Sequence, residues 1–225
     1  YQGRPVGQLA KMTAFSFHPV KALTTGEGGI VTTDDNQLAE SMRSFRNHGI
    51  DTDHRQRQQA GNWHYQLTKL GFNYRLTDIQ SALGISQLQR FPDFLARRRE
   101  IAAEYDKAFA SLAGIEPLGR QADSEHAYHL YVVRLKADQL GIDRRAAFEQ
   151  LRSLGLGVNV HYIPLHLQPF YQQRLDTQPG DCPVAEAAYE EILSLPIFPA
   201  MSADDITRVI GDLESLTSAP GKQAA

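Results

Sequence analysis

Ser16-Phe17-His18-Pro19-Val20-Lys21, followed closely by Thr24-Thr25-Gly26-Glu27-Gly28-Gly29, is the stretch with the most chemical potential. Lys21 leaves the end of an apolar run, where an amine is partly desolvated. Desolvation disfavours the ammonium form, lowers the pKa and frees the amine to attack a carbonyl as a Schiff base. By composition alone a surface-loop lysine is the commoner outcome, because lysines are seldom buried. Gly26, Gly28 and Gly29 would by themselves make only a tight turn. Ser16 has an equally plain alternative as a strand-end serine that bonds its own backbone.

A second group, Asn159-Val160-His161-Tyr162 with Pro164 and His166, sets amide, imidazole and phenol groups at a strand end entering a turn. Its plain alternative is a half-buried strand end. Asn73, two residues after Gly71, reads on its own as a turn residue. No metal site is expected. His126 and His129 would point to opposite faces of a strand, and His161 and His166 have no third ligand nearby in sequence. Arg97, Arg98 and Arg99 read as a solvated helix face, with a nucleotide anion contact as a secondary use.

The elements that must position these residues follow from periodicity and punctuation. Residues 11–17 carry aromatics at alternate positions and predict a strand, and the β-branched run 28–33 predicts another. A helix is expected over 35–46, with Asp34 and Gln37 spaced as a capping box. Residues 51–62 are polar and read as an exposed loop. Thr77 and Gln80 form another capping box at the start of a long helical run that Pro92 should kink or restart. Residues 127–135 predict a strand, 143–154 a helix capped by Asp143, and 158–162 a short strand. Two more helices are expected over 184–193 and 202–216. The tail, 218–225, is expected to fray. The resulting divisions are 1–75, a connecting helix over 76–113, a small α+β domain over 114–217, and the tail.

The 225 residues carry a net charge of -3 without a basic cluster, which argues against a nucleic-acid partner. No apolar stretch reaches the length of a membrane span. The single cysteine, Cys182, rules out an internal disulfide framework and fits a reducing compartment. The opening Tyr1-Gln2-Gly3-Arg4-Pro5 reads as an internal cut in a longer chain, with neither a starting Met nor a signal pattern.

The ordered set of motifs resembles the DegT/StrS family of sugar aminotransferases. Ser16 to Lys21 is similar to the segment that carries pyridoxal 5'-phosphate (PLP), and Gly26-Glu27-Gly28-Gly29-Ile30-Val31 to the turn and strand after it. The likeness continues through Arg46-Asn47-His48-Gly49, Gly71-Phe72-Asn73-Tyr74-Arg75-Leu76, Gln80-Ser81-Ala82-Leu83-Gly84, Arg97-Arg98-Arg99 and Val160-His161-Tyr162 with Pro164 and His166. Within that family, Ser16 to Lys21 and His161 to His166 resemble the PseC-type branch, whose substrate is a UDP-linked 4-keto-6-deoxy-N-acetylhexosamine on the route to pseudaminic acid.

The resemblance implies an α/β fold of fold type I, here the later part of the large domain plus a small C-terminal domain. It implies PLP as cofactor, a nucleotide-linked keto sugar as substrate, glutamate as amino donor, and a cytoplasmic homodimer. Lys21 would carry PLP and shuttle the proton between cofactor and sugar carbon. Ser16 would bond the phosphate, and Asn73 would reach the phosphate of the neighbouring subunit; both would also border the substrate. Asn159, His161 and Tyr162 would line the nucleotide-sugar pocket. The family's aspartate that pairs with the pyridine nitrogen would lie upstream of Tyr1, so the 225 residues alone are expected to bind PLP poorly and turn over little. Competing readings are a PLP-fold sugar dehydratase, in which a histidine takes the place of Lys21, and a non-catalytic binding module. A nucleotide hydrolase is disfavoured because the G-x-x-x-x-G-K-S/T spacing is missing.

Overall fold

The computed structural model describes residues 1–217; the expected frayed tail, 218–225, lies outside them. The chain divides into two compact units. The first is Tyr1–Pro92 with Ala122–Glu125, and the second is Asp93–Gln121 with the residues from His126 onward.

In the first unit β1 (Thr13–Ser16) pairs antiparallel with β2 (Gly29–Thr32), in the register Phe15↔Ile30 and Ser16↔Gly29. Helix α1 (Asn36–Phe45) follows. Its N-cap is Asp35 rather than the expected Asp34: Asp35 is extended, and its carboxylate accepts from the Gln37 and Leu38 amides. The polar stretch expected as loop contains a short helix, α2 (His54–Gln59). A capping box between Asp53 and Gln56 starts it, and this local chemistry outweighs the lack of an apolar stripe.

Helix α3 (Asp78–Phe109) begins at the expected Thr77/Gln80 box. It is not restarted at Pro92. A proline removes one rung of the hydrogen-bond ladder, and the turns on either side hold the element together. Residues 78–92 belong to the first unit and 93–109 to the second.

In the second unit β3 (Ile115–Pro117), β4 (Tyr131–Leu135) and β5 (Ile192–Leu195) form an antiparallel sheet in the order β3-β4-β5. Helices α4 (Ala137–Leu140), α5 (Arg144–Ser153), α6 (Pro169–Leu175), α7 (Pro183–Glu191) and α8 (Ala203–Thr217) complete the unit. Asp143 caps α5 as expected, accepting from the Ala146 amide at 2.7 Å. One face of α3 supplies Ile101, Ala102, Tyr105 and Phe109 to the core, at the three- and four-residue steps of a helical stripe. Val133 and Leu135 from β4, Leu193 from β5, Leu151 from α5, and Ile206 and Leu213 from α8 close around them.

Four further expectations need correction. Arg98, read with its neighbours as part of a solvated helix face, is 5% exposed and donates to the Tyr128 and Ile197 carbonyls, each at 2.9 Å. The strand expected over 127–135 starts only at Tyr131, because Tyr128 has a left-handed φ of 46° and its amide turns back to His126 Nδ1. The opposite-faces argument applied to His126 and His129 therefore does not hold, since neither is on a strand. The helix expected to reach residue 193 stops at Glu191, and the chain continues directly as β5. Pro196 disfavours helix in the residue before it, and Leu193 and Leu195 are buried in the sheet. Residues 158–162 form only one bridge, Asn159↔Ser194, rather than a strand.

The first unit is packed very differently. Among the described residues none of its apolar side chains is buried, and Val20, Ile30, Leu70 and Ile79 stand exposed. No described helix is long and apolar enough to cross a membrane.

Candidate active site

The β1–β2 hairpin builds the first cluster. Beyond Ser16 the ladder gives way to a turn in which the Lys21 amide donates to the His18 carbonyl at 2.9 Å. Ser16 Oγ accepts from the His18 amide at 3.3 Å, and His18 Nδ1 accepts from the Val20 amide at 3.3 Å. The Phe17 carbonyl is the anchor: it accepts the Thr25 amide and the Thr24 hydroxyl, each at 3.0 Å. The Phe17 amide donates to the Gly28 carbonyl at 2.9 Å. Lys21 is half-buried and Ser16 exposed, both on this one hairpin.

Thr25 is the buried polar residue of the unit, and its hydroxyl donates to the Glu27 carbonyl at 2.7 Å. Gln80, on α3, donates to the same carbonyl at 3.0 Å. Gly28 has a φ of +147°, and a Cβ there would lie 2.6 Å from Thr25 Oγ1 and 2.7 Å from Leu76 Cδ2. The glycine is thus demanded both by backbone conformation and by space.

Asn73 is exposed in the same unit, on a segment whose backbone bridges Asn47. The His48 amide donates to the Phe72 carbonyl, and the Tyr74 amide to the Arg46 carbonyl, both at 2.9 Å. Arg75 donates to Asn47 Oδ1 at 2.7 Å. Gly71 lets the two segments touch, since a Cβ on it would sit 2.2 Å from the Gly49 amide nitrogen. A cleft of about 1110 Å³ opens beside this bridge. Arg43, Arg46, Arg55, Arg57 and Arg75 line it, a basic concentration that the sequence reading did not single out. The signal was spread across separate segments that only the fold assembles.

The second cluster belongs to the second unit. Asn159 and Ser194 exchange backbone hydrogen bonds at 3.1 and 2.8 Å. His161 Nδ1 lies 2.8 Å from Ser194 Oγ, and its Nε2 lies 3.4 Å from Asn159 Nδ2. The Tyr162 ring meets the imidazole edge-on at 4.6 Å and is exposed. Ser194 is buried on β5 and was missed in the sequence because the expected helix ran to Leu193 and no strand was read after it. His166 Nε2 sits 2.8 Å from Glu186 Oε1, whose carboxylate also accepts the Gly180 and Cys182 amides. The His166 contact, reinforced by the Gly180 and Cys182 amides, holds the Glu186 carboxyl below its ordinary pKa. Among the described residues no three His, Cys, Asp or Glu side chains gather closely enough to hold a metal ion.

The structure brings Ser16 and Lys21 together on one hairpin, places Asn73 on another segment of the same unit, and gathers Asn159, His161 and Tyr162 in the second. The fold is that of the PLP-dependent aminotransferases, whose solved structures match nearly the whole length of the chain. The chain belongs to the DegT/DnrJ/EryC1/StrS aminotransferase family, whose sequence model matches residues 1–214. It is 38% identical over 212 residues to the spore coat polysaccharide biosynthesis protein SpsC of Bacillus subtilis, covering 93% of this chain and 54% of that protein. Helicobacter pylori PseC, an aminotransferase involved in the biosynthesis of pseudoaminic acid, superposes with a TM-score of 0.86 at 32% identity, over 97% of this chain and 56% of that one. The PLP form of the sugar aminotransferase Spr1654 of Streptococcus pneumoniae gives 0.85 at 32% identity, over 97% of this chain and 54% of that one. The chain thus spans about half the length of the relatives it matches.

Proposed function

We propose that this chain is the lysine-bearing part of a PLP-dependent transaminase that moves an amino group from glutamate to a nucleotide-linked 4-keto-6-deoxy sugar, on the route to pseudaminic acid or a related surface sugar. The observation that carries the reading is the half-buried Lys21 on a hairpin that the Phe17 carbonyl and Gly28 hold in one conformation.

The residues present fit PLP. An amine and a hydroxyl share one turn, and Ser16 Oγ, which accepts only a long bond from His18, keeps its own proton to donate to a phosphate oxygen. Bound PLP supplies the electron sink that makes the substrate C–H acidic. Lys21 Nζ would hold the cofactor, and its amine would move the proton at the carbon that gains or loses nitrogen. Asn73 would hold the phosphate in a neighbouring subunit, and the active form would then be a homodimer. Asn159, His161 and Tyr162 line the sugar pocket, and the arginine-lined cleft of the first unit has the charge to attract an anion.

A first unit without a buried apolar side chain supports the further reading that catalysis belongs to a polypeptide of the relatives' length and not to these 225 residues alone. The organisation proposed is residues 1–75 in the PLP-binding large domain, a connecting helix over 76–113, and a small domain over 114–217. Lys21 favours transamination over the dehydratase branch. Incubating the protein, at the relatives' length, with a UDP-linked 4-keto sugar, glutamate and PLP should yield the amino sugar and 2-oxoglutarate in equal amounts by mass spectrometry. Absence of both products would overturn the reading and favour a binding module.

A further inference from the structure

We infer that the start of α3 is the clamp that seats the lysine turn: Leu76, Gln80 and Gly84, spaced four residues apart, close on Thr25, Glu27 and Gly28, and Gln80 is a positioning residue for Lys21. The inference rests on the proposal that Lys21 carries the cofactor. The motif Gln80-Ser81-Ala82-Leu83-Gly84, which touches neither cofactor nor substrate in the proposed function, thereby has a task of its own.

The orientation of Gln80 follows from its partners. The Thr77 amide, which can only donate, lies 3.0 Å from Gln80 Oε1, and the Thr77 hydroxyl donates to the same oxygen at 3.2 Å. Nε2 is therefore on the other side of the amide, where it donates to the Glu27 carbonyl at 3.0 Å. A carbonyl can only accept, so both ends of the side chain agree. One side chain thus starts α3 through its oxygen and holds the lysine hairpin through its nitrogen. The Glu27 carbonyl also takes the Thr25 hydroxyl at 2.7 Å, so both of its lone pairs are used. The Thr25 amide in turn donates to the Phe17 carbonyl at 3.0 Å, which closes the loop that bears Lys21. Displacing Glu27 therefore displaces the base of that loop.

Shape makes the same demand. Leu76 Cδ2 lies 2.7 Å from where a Cβ on Gly28 would stand, and Thr25 Cγ2 lies 2.9 Å from where one on Gly84 would stand. Gly84 is inside α3, where alanine would favour the helix. Glycine there weakens α3 and makes room for Thr25. Thr25 is 3% exposed and has little freedom to yield, because its hydroxyl is bonded to Glu27 and a β-branched side chain is stiff at χ1. Leu76 follows Asn73 closely in sequence, so the segment that bears Asn73 and the turn that bears Lys21 are seated against one another.

The test uses the protein at the relatives' length and begins without PLP. Gln80→Glu keeps the oxygen that caps α3 but sets a carboxylate against the Glu27 carbonyl. Hydrogen-exchange protection of the Phe17 and Thr25 amides should fall about threefold to tenfold, the loss of one neutral hydrogen bond. The Ser81 amide, which donates to the Thr77 carbonyl at the start of α3, should stay protected. A protonated carboxyl can donate where the amide did. Protection relative to wild type should therefore return as pH falls toward the ordinary glutamate pKa of about 4.3, and a merely structural loss would not titrate away. Gly84→Ala should leave α3 at least as protected while lowering protection of Phe17 and Thr25 about fivefold or more. With PLP loaded, Gln80→Glu should slow the glutamate and sugar half-reactions alike, about threefold to tenfold, with KM for either substrate unchanged, because Lys21 serves both. Unchanged Phe17 and Thr25 protection in both variants, or a loss in Gln80→Glu that persists at low pH, overturns the inference. Native half-reaction rates in a Gln80→Glu variant whose turn has loosened, with Lys21→Ala inactive, overturn the positioning role. If Lys21→Ala leaves both half-reactions intact, it is the proposed role of Lys21 that fails, and the clamp is decided by the exchange data alone.

Discussion

Replacing Gly28 by alanine strikes the hairpin that presents Lys21 without touching Lys21 itself. At a φ of +147° an alanine occupies a backbone region that is essentially glycine's own, at a cost of about 1–3 kcal/mol. The added methyl would also meet Thr25 Oγ1 at 2.6 Å and Leu76 Cδ2 at 2.7 Å, an overpacking of about 1–3 kcal/mol. Together these give about 2–6 kcal/mol, or about 1.5–5 kcal/mol once the lower entropy of the unfolded alanine chain is subtracted, concentrated in the turn. Gly26 is the internal control: its φ is +82° but nothing lies within 4 Å of a Cβ placed there. Its left-handed strain of about 1–2 kcal/mol is partly offset by the lower entropy of the unfolded alanine chain, about 0.4–1 kcal/mol, leaving about 1 kcal/mol. Hydrogen exchange at the Phe17 and Thr25 amides, which donate to the Gly28 and Phe17 carbonyls, reads the opening of this turn. Gly28→Ala should reduce their protection by about tenfold or more, since 1.4 kcal/mol is a factor of ten, and Gly26→Ala by about fivefold. Equal effects from the two variants, or none from Gly28→Ala, would refute the view that Gly28 holds the lysine turn.

Further outcomes follow from the same contacts. Mixing Asn73→Ala with Lys21→Ala subunits at the relatives' length should restore part of the activity, because one site of each mixed dimer then carries neither lesion; mixed dimers that stay inactive would show that Asn73 does not act across subunits. Burial, the largest influence on both, pushes the phenols of Tyr105 and Tyr131 above their ordinary 10.0. From about pH 10 upward the unfolded chain releases these protons while the folded chain keeps them, so stability should fall as pH rises, and Tyr105→Phe or Tyr131→Phe should flatten that fall in pH-dependent denaturation. At neutral pH Tyr131→Phe should also cost about 1.5–3 kcal/mol, because its hydroxyl donates to the Asp106 carboxylate at 2.7 Å. A loss no larger than that of Tyr105→Phe, whose hydroxyl donates to the neutral Pro196 carbonyl at 2.9 Å, would contradict this ranking.

Elements with strong local signals were legible in the sequence. The Thr77/Gln80 box and the Asp143 cap start their helices where the spacing says they should, and the stripe Ile101, Tyr105, Phe109 is the core face of α3. The errors fall where local and tertiary preferences compete. Ile192 and Leu193 continue the helical pattern expected over 184–193 but are drawn, with Ser194 and Leu195, into the sheet by burial and by Pro196. Residues 158–162 alternate like a strand yet make one bridge, because the adjoining sheet offers pairing only at Ser194. The family and its cofactor were readable from the order of motifs around Lys21 and Gly28. The partner of His161 was not, since a serine distant in sequence is brought to it only by β5. The arginine cleft was hidden for the same reason: its members come from segments that are unremarkable until α1, α2 and the Asn47–Asn73 bridge bring them together.

Lys21 carries the proposed chemistry, and trapping its adduct with the cofactor tests that role. The protein, at the relatives' length, is saturated with PLP, reduced with borohydride, digested and analysed by mass spectrometry. A pyridoxyl group should appear on the peptide containing Lys21 and be lost together with turnover in Lys21→Ala. A reduced adduct on another lysine, or one that persists in Lys21→Ala, would contradict it.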